Sequence, residues 1–211
     1  MSFLSKLIKQ CRKPSGWLGE LTALKMNSGH ARMTAWALGH LQIGKEYIIL
    51  DVGCGGGRTV NRLAKLAPDG KVIGLDFSES SVKISTKINH DLIEASRVEI
   101  RQGSVSALPF QDDTFDLVTA VETYYFWPDL NADFQEVRRV LKPGGSLIIV
   151  VEAYKGSKFK ERNLRWVKAG DMAYHSLQEL KDLLITAGFT DVEMFEEYEK
   201  GWACGTGQKA T

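Results

Sequence analysis

Asp51, Gly53, Gly55 and Gly57 alternate in the stretch Asp-Val-Gly-Cys-Gly-Gly-Gly-Arg, directly after an apolar run over residues 47–50. Glycine permits positive φ and lets a ligand lie against bare main chain. The free N–H groups at the start of a following helix then face whatever the loop holds. An acid at the strand's end repels a pyrophosphate and attracts a cation. The dinucleotide fingerprint G-x-G-x-x-G also fails, because Arg58 follows Gly55, Gly56 and Gly57 where the last glycine would be needed. A second acid, Asp76, ends the next apolar run, 25 residues beyond Asp51. A carboxylate there suits both hydroxyls of a ribose, since it accepts two O–H donors at once. Phe77 beside it offers a ring face for a base.

Further along, Gly103-Ser104-Val105 opens a loop that ends in Leu108-Pro109-Phe110, and Leu141-Lys142-Pro143-Gly144-Gly145 precedes an apolar run. Together with the acid and alternating glycines, these segments resemble the class I S-adenosylmethionine-dependent methyltransferases, in their ubiquinone-biosynthesis-like small-molecule group. The resemblance covers residues 45–152 and implies S-adenosylmethionine as methyl donor, S-adenosylhomocysteine as product and no metal. It implies a cofactor site of Asp51, Gly53, Gly55, Gly57, Asp76, Phe77, Gly103, Ser104, Val105 and Val121. The family carries an acid where Ser104 stands, which accepts from the adenine amino group. A hydroxyl accepts that proton more weakly, while the Val105 N–H can still donate to the ring.

Glu122-Thr123-Tyr124-Tyr125-Phe126-Trp127 follows the fourth apolar run. In open α/β sheets the ligand crevice lies beyond the carboxyl ends of the strands. Aromatic faces there can stabilise a sulfonium or a cationic substrate. The competing reading has Phe126 and Trp127 anchoring the next helix while the tyrosines cap the surface. Trp36, Tyr124, Tyr125, Tyr154 and Trp166 are the substrate-binding candidates. Glu122, Tyr124 and His30 are the candidates for a base, each also readable as structural. The segment is not the Asn/Asp-Pro-Pro-Tyr of base-modifying enzymes. Methyl transfer needs no triad, because the donor is activated by its own charge. His30, His40, His90 and His175 show no metal-ligand spacing.

Strands and helices must position these groups. Apolar spacing predicts a helix over residues 58–67 with Val60, Leu63, Ala64 and Ala67 on one face. Pro68-Asp69-Gly70 is a turn, and a strand over residues 71–75 leads to Asp76. Ser78 is a helix N-cap before Val82, Ile84, Ile88 and Leu92. A third strand lies near residues 97–101 and a fourth over residues 115–121. A helix over residues 131–141 puts Phe134, Val137, Val140 and Leu141 inward. Lys142-Pro143-Gly144-Gly145 ends it, and residues 146–151 form a strand buried on both faces. Residues 155–168 read as a surface loop or helix. Ser176 and Glu179 form a capping box, and Gly188 stops that helix. Residues 189–195 and 202–205 read as an antiparallel pair. The expected fold is α/β: a Rossmann-like, doubly wound, seven-stranded sheet, mostly parallel with one antiparallel strand at the C-terminal end and helices on both faces.

The first 44 residues read as a helical extension, with residues 45–211 as the methyltransferase domain. A basic amphipathic helix near residues 3–11 docks on its own domain or on a membrane surface. A polar hinge at residues 27–30 precedes a helix over residues 31–41 carrying Met33, Trp36, Ala37, His40 and Leu41. By resemblance, such helices fold over the cofactor as a lid. The 211 residues are 44% apolar and 25% charged with net charge +1, so no bulk field recruits nucleic acid or membrane. Cys11, Cys54 and Cys204 are odd in number and widely spaced, which reads as a reduced cytoplasmic protein. No apolar run is long enough to span a membrane. Three functions fit: transfer to an O, N or C nucleophile of a small molecule, methylation of a protein or RNA, or non-catalytic nucleoside binding.

Overall fold

The computed structural model describes residues 30–211. The helix read at residues 3–11, most of the polar hinge at residues 27–30, and Cys11 lie outside the described residues. Seven strands form one sheet: β1 (Ile48–Val52), β2 (Lys71–Asp76), β3 (Val98–Gln102), β4 (Phe115–Val121), β5 (Leu141–Val151), β6 (Phe189–Glu197) and β7 (Trp202–Lys209). Their order is β3-β2-β1-β4-β5-β7-β6. Only β7 runs against the rest, pairing antiparallel with both β5 and β6. The sheet is thus the expected one, with its order reversing at β1 and β4.

Helices cover both faces because the strands are apolar on both. In β5, Leu147, Ile149 and Val151 join one core cluster while Ile148 and Val150 join the other, the period-2 alternation of a strand. One face packs α5 (Leu130–Val140) through Phe134 and Val137, and α7 (Leu177–Thr186) through Leu180 and Leu184. The other packs α1 (Ala31–Leu38) through Met33 and Ala37, and α2 (Arg58–Leu66) through Val60 and Leu63. The remaining helices are α3 (Glu79–Ile88), α4 (His90–Glu94) and α6 (Lys160–Gly170).

Local chemistry sets the boundaries. Ser78 caps α3 by accepting from the Ser81 N–H, and the Ser176–Glu179 capping box closes the start of α7. Gly188 at φ 93° follows that helix's end. Three expectations shift. The helix capped by Ser78 ends at Ile88, and Leu92 falls in the separate α4. Helix α1 stops at Leu38, before His40 and Leu41. Lys142-Pro143-Gly144-Gly145 does not precede β5 but lies inside it: Phe115 pairs with Leu141 and Leu117 with Ser146, so the extra residues bulge out of the ladder. A bulge accommodates proline, which has no N–H for the ladder. Lys142 Nζ is tied at 2.7 Å to Asp116, whose other oxygen accepts from the Ile48 N–H at 2.8 Å.

Candidate active site

The carboxyl edge of the sheet carries an acid on four neighbouring strands. Asp76 ends β2, Asp51 stands one residue before the end of β1, and Glu122 and Glu152 directly follow β4 and β5. Asp51, Asp76 and Glu122 line a cleft of about 940 Å³, which extends from Phe77 and Gly103 to Phe126 and Trp127. That size accommodates a small-molecule ligand.

The three alternating glycines of the first loop all have positive φ: Gly53 at 70°, Gly55 at 51° and Gly57 at 79°. Their reasons differ. A Cβ on Gly53 would lie 2.2 Å from Thr123 Oγ1, and one on Gly57 would lie 2.2 Å from Ser85 Oγ. Those two glycines let the loop pack against the end of β4 and against α3. A Cβ on Gly55 would meet no atom within 4 Å. Gly55 therefore keeps bare main chain facing the cleft.

Asp51 is 1% exposed, and Thr119 Oγ1 donates to its Oδ1 at 2.5 Å. Its Oδ2 is buried without a hydrogen-bond partner. Burial pushes the carboxyl up to about 7, with the Thr119 hydrogen bond opposing and the Asp76 charge adding. A cleft-lining acid with an orphaned oxygen calls for a hydrogen-bond donor or a positive group beside it. Asp76 accepts from the Gly55 N–H at 2.9 Å through one oxygen and from the Ser78 N–H at 2.9 Å through the other. Burial raises its pKa while these N–H groups resist the shift. These bonds fix the carboxylate's orientation and leave acceptor capacity for hydroxyls. Phe77, 43% exposed, presents a ring at the cleft, and Gly103, Ser104, Val105 and Val121 also line it. Ser104 Oγ accepts from the Ser106 N–H at 3.2 Å.

At the other end, His30 Nε2 lies 3.6 Å from Glu152 Oε1 and 3.9 Å from Glu122 Oε2. The three side chains are 24, 17 and 10% exposed respectively, partly shielded yet reachable. The Glu152 N–H donates to Glu122 Oε1 at 2.7 Å, and Glu122 holds φ 57°. Burial pushes Glu122 up to about 7; His30 opposes this and the Glu152 charge adds to it. Burial lowers the His30 pKa, but contact with Glu152 and the charges of both glutamates leave it raised. The pKa of Glu152 ends below its ordinary value despite burial, because His30 and Arg162 outweigh it. Sequence spacing hid this trio: its members come from the start of α1 and from two strand ends.

The aromatic candidates are redistributed. In the 3₁₀ turn Tyr124–Phe126 the ring planes of Tyr124 and Tyr125 lie at 50°, and those of Tyr125 and Phe126 at 90°. Tyr124 and Tyr125, at 1 and 3% exposure, are core residues and do not line the cleft. Burial raises both phenols far from any role as a base near neutral pH. Phe126 and Trp127 line the cleft instead, with Trp127 also packed edge-on against Phe134 of α5. Tyr154 is buried, its hydroxyl donating to Glu196 at 2.8 Å. Trp36 belongs to a separate groove with Arg32, Lys200 and Trp202. Trp166 sits under the Arg162 guanidinium, 4.3 Å from its ring centroid, and outside the cleft lining.

The family model described as a methyltransferase domain matches residues 43–194. The chain belongs to this methyltransferase family. The demethylmenaquinone methyltransferase of Staphylococcus carnosus is 30% identical over 73% of this chain and 72% of its own length. That of Lactococcus lactis subsp. lactis is 31% identical over 69% of this chain and 66% of its own. Among solved structures, a chain from the complex of the Haloferax volcanii Trm112 methyltransferase activator with a methyltransferase superposes at TM-score 0.81. It covers 100% of this chain and 99% of its own at 20% identity, a likeness of fold.

This methyltransferase is a class I enzyme dependent on S-adenosylmethionine. Its described residues fit that donor: the partnerless Asp51 oxygen and the open face of Gly55 lie in one cleft with Asp76 and Phe77. Among the described residues no helix is long and apolar enough to cross a membrane.

Proposed function

We propose that the methyltransferase holds S-adenosylmethionine along the β1–β2 half of the cleft and methylates a small molecule at the β4–β5 half. Asp51 receives the α-ammonium and Asp76 the ribose hydroxyls. Phe77 covers one face of the adenine, with Gly103, Ser104 and Val105 at its edge. Gly53, Gly55 and Val121 form the wall, while Gly57, expected there from sequence, lies outside the lining and packs the loop against α3. The donor when bound supplies a methyl group on a positively charged sulfur. The chain's residues orient the acceptor and exclude water around it. Phe126 and Trp127 supply apolar and ring surface on the acceptor side.

The observation that carries this reading is the buried, partnerless Oδ2 of Asp51 on the cleft wall. The relatives named for demethylmenaquinone support a small aromatic or quinone-like acceptor. The buried free thiols of Cys54 and Cys204 accord with a reducing, cytoplasmic setting. The N-terminal residues before β1 are assigned as an extension to the domain; α1 brings His30 to the cleft, as a lid element would.

A screen of metabolite extracts with isotopically labelled methyl donor tests the proposal. Label should enter a small molecule and not macromolecular fractions. Label confined to protein or RNA would overturn the acceptor class.

A further inference from the structure

We infer that Glu122 is the general base of the transfer, that His30 and Glu152 position it, and that the acceptor bears a neutral or cationic X–H group, an amine, phenol or enol. The inference rests on the proposed cofactor half of the cleft and names what the other half takes.

Three observations converge on it. First, Glu122 is the cleft-lining acid directly beyond β4, next to the strand whose Asp51 lines the donor half. Second, its carboxylate is held from three sides: the Glu152 N–H binds Oε1, Oε2 faces His30, and the Tyr125 hydroxyl donates to the carboxylate. A base so fixed has one orientation in which to meet a proton. Third, the charges around it define the partner. Facing Glu122 are His30 from the start of α1, Glu152 from the end of β5, and the phenols of Tyr124 and Tyr125 from its own turn. Arg162 of α6 reaches Glu152 at 3.5 Å. His30 and Arg162 pair with Glu152, which leaves Glu122, beside Phe126 and Trp127 in the cleft wall, to repel an anionic acceptor group and tolerate a neutral or cationic one.

The step balances without an outside oxidant or metal. The acceptor's electron pair forms the new bond to the methyl carbon, and the carbon–sulfur bond breaks with its electrons left on sulfur. The acceptor's proton passes to the Glu122 carboxylate. His30, its pKa raised by contact with Glu152, favours the ionised form of Glu122 whenever it carries its proton. Burial and Glu152 act the other way, so that Glu122 titrates near the operating pH of a neutral-pH base.

The test compares wild type with Glu122→Gln and His30→Gln. S-adenosylhomocysteine binding is measured by calorimetry, the His30 ring is titrated by NMR, and turnover is followed with labelled donor on a panel of amines, phenols, enols, carboxylates and phosphates. Glu122→Gln should bind S-adenosylhomocysteine within threefold of wild type, which also reports its folding. It should lower kcat/KM about a hundredfold or more, remove the acid limb of the pH profile, and lower the pKa of His30. His30→Gln should move that acid limb to higher pH, because the cation that favours ionised Glu122 is gone. Unchanged turnover and pH profile in Glu122→Gln would overturn the inference. So would methylation confined to carboxylates or phosphates, no methylation of the panel, or turnover lost to EDTA and restored by a divalent cation. Wild type that fails to bind S-adenosylhomocysteine contradicts the proposed function itself, which separates the two failures.

Discussion

Burial makes the Asp51 carboxylate costly in the ligand-free protein, and a positive group beside it would offset that cost. Buried with one oxygen partnerless, Asp51 is pushed up to about 7. In the unfolded chain it titrates near the ordinary carboxylate value, roughly 3.9. The folded state therefore binds this proton more tightly than the unfolded state. The stability it supports is complete below about pH 4 and is lost as pH rises toward about 7. Asn keeps the shape and the Thr119 hydrogen bond without the charge. Asp51→Asn should raise the ligand-free melting temperature at pH 8 by roughly a few degrees and should abolish S-adenosylhomocysteine binding. A melting scan and a calorimetric titration on the same sample check both. The same linkage governs binding by the wild type. Affinity for S-adenosylhomocysteine should be weaker at pH 6 than at pH 8, with a proton released on binding at pH 6. Calorimetry in buffers of different ionisation enthalpy measures that proton. Asp76, fixed by the Gly55 and Ser78 N–H groups, is expected to act differently: Asp76→Ala should lose binding at every pH between 6 and 8.

At the scale of elements, the loop between β1 and α2 divides its glycines between packing and access. Gly57→Ala would set a Cβ against Ser85 and Asn89 at positive φ, so it should destabilise the fold by about 2 kcal/mol or more. Gly55→Ala meets open space at positive φ, so its stability cost should be about 1 kcal/mol, while its effect on ligand binding should be the larger of the two. Denaturant melts and calorimetry on the pair distinguish the roles. Sequence spacing showed that the loop needed these glycines but not which neighbour each one faces, since Thr123, Ser85 and Asn89 come from other elements. The helices and strands were legible for a related reason. Val60 with Leu63, and Ser176 with Glu179, are local signals that tertiary contacts reinforce. Lys142-Pro143-Gly144-Gly145 was misread because a bulge inside β5 carries the same residues as a turn before it. The aromatic run was misread because its 3₁₀ turn, invisible to period counting, buries the tyrosines and exposes Phe126 and Trp127 to the cleft.

Across the whole molecule, strand order decides function. The order β2-β1-β4-β5 brings Asp76, Asp51, Glu122 and Glu152 into one row on the carboxyl edge, although 101 residues of sequence separate the first acid in the chain from the last. The two acids next to the glycine loop were readable as a pair because they lie at the carboxyl ends of consecutive strands, Asp76 as the last residue and Asp51 one residue earlier. The His30–Glu122–Glu152 trio was not, since only folding closes that distance. On the proposed reading, one edge serves a cationic donor at one end and a proton-bearing acceptor at the other. The most direct test is a crystal structure with S-adenosylhomocysteine. The ligand's ammonium should lie on Asp51, its ribose hydroxyls on Asp76 and its sulfur toward Glu122. A cradle at Gly55 left empty by bound ligand, or a ligand whose ammonium lies away from Asp51, would contradict that placement.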